Sequence, residues 1–297
     1  MSDGTKKGTH SEKRSAHMRL ETIVSELHFA GDTEREVLER IRGNEAQIAQ
    51  AARTAYQGEG FQFPLCGRGP LTRLAVVTYL LPGWYAAYRA KGIPDGVILD
   101  TFRDVSLRAR LYSEITGRAG LSEEDVIWFR HLMHVALFQI GALQFQPFEM
   151  IYLDEEGIGE PYMAFSAAQK AALPAGTPVI NCHVPRGADL SPRSVEASFQ
   201  SAKAFFSKHF PDGAYRAFLC YSWLLYPPMV ERLPETSNIR RFAERFRVVG
   251  ACDDAEQAFE CLFMEGPERA PAHATALQRL ALRRRELFGF ACGVIGI

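Results

Sequence analysis

Between Arg19 and about Gln57 apolar residues recur at three- and four-residue intervals, which predicts helix. Val37, Leu38 and Ile41 follow Thr33-x-x-Glu36, the spacing of a capping box. Glycines, two prolines and a phenylalanine pair then mark Gly58 to Pro70 as a loop. Leu71 to Lys91 is strongly apolar but carries Pro82-Gly83 near its middle. A missing N–H and a ring clash there predict two helices. Pro94 to Gly117 and Ser122 to Gly141 read as two more helices. The second opens on Ser122-x-x-Asp125 and directs Trp128, Leu132 and Phe138 inward.

The period changes after Leu143. Phe145, Phe148, Met150 and Tyr152 alternate with polar partners, and Asp154-Glu155-Glu156-Gly157 closes that strand as a turn. Strands are predicted over Thr177 to Val184, Ala217 to Leu225 and Phe246 to Cys252. Helices are predicted over Ser191 to His209, Thr236 to Arg245 and Ala272 to Phe288. Ser191 is placed to cap its helix and Pro192 suits its first turn, while Val195, Phe199, Ala202 and Phe206 form one apolar face. The expected class is α+β: a disordered tail over 1–18, an all-helical domain over 19–142, and a mixed α/β domain over 143–297.

Length agrees with two domains, because 297 residues exceed one ordinary hydrophobic core. Charge removes other classes. Lys plus Arg number 34 and Asp plus Glu 35, so no net field draws nucleic acid or an anionic membrane. The apolar runs Leu74 to Ala87 and Phe288 to Ile297 fall short of the roughly 20 residues that cross a bilayer. Six dispersed cysteines form no CxxC pair, which fits reduced thiols in a cytoplasm, and Met1 to Met18 lacks the apolar stretch of a secretory signal.

His183 is the leading chemical candidate. It ends the strand Val179-Ile180-Asn181-Cys182-His183, where alternation places it with Asn181 and away from Cys182, and it precedes a helix start. It reads equally as a hydrogen-bonded strand terminus or as a catalytic group that titrates near neutrality. The loop Arg186 to Ser191 combines a glycine, an arginine and amides at a helix start, a set that suits phosphate; Asp189 either opposes an anion or caps the helix. On the next strand Cys220 and Ser222 share one face, Tyr221 and Trp223 the other, and no GxSxG elbow accompanies Ser222. His131 and His134 stand three apart without an HExxH pattern, so ordinary helix-face histidines are favoured over a metal site.

Several segments together resemble a bacterial family of acyltransferase-domain proteins, nearly end to end. They are Lys91-Gly92-Ile93-Pro94 with Thr101-Phe102-Arg103-Asp104, Trp128-Phe129-Arg130-His131-Leu132, Gly141-Ala142-Leu143-Gln144-Phe145, His183-Val184-Pro185, Ser222-Trp223-Leu224-Leu225 and Ser237-Asn238-Ile239. In that family a helical N-terminal N-acyltransferase-type domain precedes a GNAT-like C-terminal domain. The resemblance implies an acyl-CoA co-substrate, no metal, and a small-molecule amine acceptor that attacks the thioester directly. It implies a cofactor cradle of Val184, Arg186, Gly187, Ala188, Leu190 and Ser191. Catalysis would fall to His183 as base, with Tyr221 or Ser222 protonating the departing thiolate. Two departures are visible: the loop lacks the Gln/Arg-x-x-Gly-x-Gly/Ala signature, and Tyr221 replaces the histidine expected before Ser-Trp-Leu-Leu. The alternative is a non-catalytic ligand- or partner-binding module that keeps a degenerate GNAT-like groove. The oligomeric state is not written in the sequence.

Overall fold

The computed structural model describes residues 18–58, 60–154, 163–264 and 274–297. The expected tail therefore falls outside the described residues save for Met18, as does most of the turn expected over 154–157. The chain divides into two compact units that meet between Ala136 and Leu137. The first holds six helices among its described residues: α1 (Leu20–Leu27), α2 (Thr33–Gly43), α3 (Glu45–Thr54), α4 (Pro70–Ala90), α5 (Asp95–Thr116) and α6 (Glu123–Met133).

Three features of this unit differ from the sequence expectation. The stretch from Arg19 to Gln57 is three helices, broken at His28, which adopts a left-handed φ of 54°, and at Asn44. No side-chain cap forms at α2, whose Thr33 is buried. Pro82 does not split α4, which runs unbroken through it. That helix packs against α1, α2, α3, α5 and α6, and the apolar surface removed from water outweighs one lost backbone bond. The Ser122 capping box does form, with Asp125 N–H donating to Ser122 Oγ and Ser122 N–H to Asp125 Oδ2. Asp125 and the buried Asp104 both hold Arg108, and the indole of Trp128 donates to Asp104 at 2.6 Å, so the buried charges are paired.

The second unit is a six-stranded mixed sheet with helices. In chain order it contains β1 (Phe138–Ile140), β2 (Leu143–Glu149), α7 (Ala167–Ala172), β3 (Pro178–His183), α8 (Pro192–His209), β4 (Ala217–Ser222), α9 (Pro227–Arg232), α10 (Asn238–Ala243), β5 (Arg247–Cys252), α11 (Glu256–Phe263), α12 (Ala276–Arg283) and β6 (Phe290–Gly296). Sheet order is β1-β2-β3-β4-β6-β5, antiparallel except for the β3–β4 pair. Phe138, expected inside a helix, belongs to β1. The two-residue turn Gly141-Ala142 pairs Ile140 with Leu143, and Gly141 takes a φ of 64°. A Cβ there would lie 2.5 Å from Ser198 Oγ, the atom that accepts Ala142 N–H and ties the hairpin to α8.

The final helix is shorter than the sequence suggested, and the apolar Phe288 to Ile297 region supplies β6. That strand sits between β4 and β5. One sheet face packs on α8 through Phe145, Phe199 and Phe218. The other carries Val179, Leu219, Phe290 and Cys292 into a core with Met150 and Met163.

Candidate active site

The single parallel pair sets the geometry. Backbone register joins Ile180 to Phe218 and Asn181 to Leu219 and ends there, although β3 continues to His183 and β4 to Ser222. Both carboxyl ends thus run on past their last paired level, which forms the vertex of a notch in the sheet. Brought forward by the same count, His183 stands level with Tyr221 and on the same face.

That face changes character at the notch. Cross-strand register places Gln144 opposite His183 and Gln146 opposite Asn181, so four polar side chains share one face. Gln144, Gln146 and Asn181 are all buried. His183 Nε2 lies 2.9 Å from Gln146 Oε1, a pairing that fixes the ring. Asn181 is 7% exposed, and its Oδ1 has no hydrogen-bond partner. The two glutamines escaped sequence reasoning, although Leu143-Gln144-Phe145-Gln146 alternates cleanly. What the chain does not spell out is which strand lies beside β2.

Tyr221 and Ser222 separate onto opposite faces. The Tyr221 hydroxyl donates to the Ile151 carbonyl, and its ring stacks on Phe290. Ser222 is buried and its Oγ accepts Leu224 N–H, capping a 3-10 turn over Trp223–Leu225. The strand expected to reach Leu225 therefore ends at Ser222, and Trp223 leaves the alternation. Cys182 and Cys220, level with one another just past the vertex, are both buried free thiols in hydrogen-bond contact with each other. Burial, then that contact, pushes the Cys182 thiol well above its usual range. A protonated thiol is a poor nucleophile. The Cys292 thiol is likewise raised by burial, to about 12.

Beyond β3 the chain enters the loop that precedes α8. Val184 and Leu190 pack inward against a core that includes Trp223 and Phe288. Ala188 N–H donates to Pro185 carbonyl, closing a turn in which Gly187 has a φ of 82°. Arg186 Nη1 donates to the carbonyl of Cys261 on α11 at 2.7 Å, which anchors the loop. Asp189 accepts both the N–H and the hydroxyl of Ser191, so Ser191 is held by Asp189 and makes no side-chain cap of its own. These bonds hold the Asp189 carboxyl below its ordinary range. Pro192 opens α8, and the exposed Arg193 follows it. A helix of 18 residues directs its positive end to this loop.

The other candidates lie apart. Of the two helix histidines, His131 is half-buried with its ring edge-on to Trp128, and His134 is exposed. Among the described residues no group of three or more His, Cys, Asp or Glu side chains is placed to hold a metal ion. No helix among them is long and apolar enough to cross a membrane. An open cleft of about 730 Å³ is lined by residues of α2 and α5, including Glu36 and Arg110. Another of about 800 Å³ is lined by Asp253, Asp254 and Arg285; neither involves the notch.

A mixed sheet whose one parallel pair stops pairing before either strand ends, with a helix start past the first of those strands, is the architecture of the GNAT-type acyltransferases. The chain belongs to the family of the GNAT-like C-terminal domain, whose model matches residues 137–289; residues 18–135 match the N-acyltransferase N-terminal domain. No curated protein sequence matches significantly. Among solved structures, an acyltransferase in complex with decanoyl-CoA and teicoplanin is similar with a TM-score of 0.70 and 19% identity, over 93% of this chain and 87% of that one. An acyltransferase mutant in complex with octanoyl-CoA is similar at the same TM-score and identity, over 94% and 87%. These likenesses establish the fold.

Proposed function

We propose that the protein transfers an acyl group from an acyl-CoA thioester to a small-molecule amine. The observation that carries this reading is the β3–β4 notch, with the Arg186 to Ser191 loop and the α8 start beyond β3. A pantetheine arm fits between two strands that continue unpaired with each other, and pyrophosphate suits a helix N-terminus flanked by Arg186 and Arg193. The similar solved structures carry decanoyl-CoA, octanoyl-CoA or CoA, which supports the same co-substrate here. Teicoplanin beside decanoyl-CoA in one of them supports a small-molecule acceptor.

In this reading Val184, Gly187, Ala188, Leu190 and Ser191 form the cradle. The acceptor nitrogen attacks the thioester carbon, the C–N bond forms, the C–S bond breaks, and the proton lost by nitrogen ends on the thiol of CoA. His183, oriented by Gln146, takes the proton from nitrogen. Tyr221 shares the sheet face of His183, and this reading gives it protonation of the thiolate, for which its hydroxyl must leave the Ile151 carbonyl. Ser222 faces the other way and caps a turn, so it is the second choice. Use of acyl-CoA and six free cysteines fit a cytoplasmic location.

A thermal-shift series of acyl-CoAs of increasing chain length tests the reading. Ligand at about 100 times its dissociation constant adds roughly 2.7 kcal/mol of stability. Binding followed by CoA release on addition of an amine supports transfer. Binding without release supports the alternative binding module, and no shift at any chain length removes the acyl-CoA assignment.

A further inference from the structure

We propose that Asn181 Oδ1 receives an N–H of the attacking acceptor and thereby selects a nitrogen nucleophile over a hydroxyl. This rests on the acyl-CoA reading above and assigns its choice of an amine to one residue. Asn181 occupies the last paired level of the notch, two residues before His183 on the same face. Its side-chain oxygen is buried and lacks a hydrogen-bond partner. Leaving a buried carbonyl unbonded is unfavourable, so such an atom at a site calls for a donor from the ligand.

The chemistry around it favours nitrogen. The buried polar side chains sharing this face are the neutral amides Gln144, Gln146 and Asn181. A carboxylate there would hold an acceptor as ammonium, whose lone pair is occupied; a neutral, desolvated floor favours the free amine. The proton count then separates the nucleophiles. An alcohol has one proton, and once the base removes it nothing remains to donate to Asn181. A primary amine loses one proton as the C–N bond forms and keeps an N–H for Oδ1 through breakage of the C–S bond. The contact therefore persists to the tetrahedral intermediate for a primary amine and not for an alcohol, which is where it lowers the barrier.

The test uses the full chain, decanoyl-CoA, and methylamine as the probe amine, with methanol as the one-proton oxygen nucleophile. N-Methyldecanamide and methyl decanoate are quantified together, and decanoyl-CoA affinity is measured on the same preparations. The wild type is expected to form amide above the uncatalysed background. Asn181→Leu should lower the amide-to-ester ratio about tenfold, the scale of one hydrogen bond, at unchanged decanoyl-CoA affinity. Asn181→Thr keeps an uncharged acceptor oxygen and should retain the ratio. An unchanged ratio in Asn181→Leu, where the wild type forms amide, overturns this inference alone, as does an equal fall in Asn181→Thr, which would assign the effect to Nδ2. Should Asn181→Leu fail to fold, Asn181→Ala makes the same comparison. Wild type that binds decanoyl-CoA but forms no amide overturns this inference together with the amine-transfer reading; wild type that does not bind it overturns the acyl-CoA assignment as well.

Discussion

Gln146 on β2 holds the imidazole of His183 on β3 from the neighbouring strand, with Oε1 and Nε2 2.9 Å apart. If the ring is the base, His183→Ala should lower turnover by about 100-fold to 10,000-fold with little change in acyl-CoA affinity. Gln146→Leu should give a smaller fall of the same kind, because the ring is present but no longer oriented. Steady-state kinetics with melting temperature on each preparation decides the matter. A fully active His183→Ala protein removes the role.

Gly187 turns the loop before α8 with a φ of 82°, and a Cβ there would meet no atom within 4 Å. Gly187→Val therefore acts through the backbone, since a left-handed φ costs a β-branched residue about 1–2 kcal/mol. The exposed loop should shift and acyl-CoA binding weaken severalfold, while circular dichroism stays native. Calorimetric titration with CoA checks this, and an unchanged affinity would place the phosphates elsewhere.

Thr78 lies fully buried in α4, and its hydroxyl has no partner. Replacing that hydroxyl by a methyl group removes an unsatisfied polar atom at nearly constant volume. Thr78→Val should thus stabilise the helical unit by about 1–2 kcal/mol, read from denaturant unfolding. A loss of stability would show that the hydroxyl is satisfied after all.

His131 gives the helical unit a pH dependence. Burial, then the charges of Arg130 and His134, lowers its pKa to about 4, against about 6.5 in an unfolded chain. The unfolded state takes up the proton first, so the contribution to stability is complete above about pH 6.5 and falls away as pH drops toward 4. His131→Gln should flatten that part of the stability curve. Identical slopes for the two proteins would refute the assignment.

Periodicity found most of the elements because each is built from local pattern. α5 and α8 follow their apolar faces closely, and Ser122-x-x-Asp125 forms the cap its spacing suggests. It failed where distant packing outweighs local preference. Pro82 stays inside α4 because five helices pack along that helix, and the apolar end of the chain is a strand because β4 and β5 flank it.

The candidate site divides along the same line. Alternation alone put Asn181 with His183, and Cys220 with Ser222, since a strand's side-chain period is two whatever its neighbours. The resemblance of short segments was enough to indicate a GNAT-like second half. Only the tertiary structure decided that β2 and β4 flank β3, because strand partners are chosen by contacts between residues far apart in the chain. That choice sets Gln146 against His183, ends pairing at Asn181 and Leu219, and leaves the Asn181 oxygen buried at the vertex without a donor.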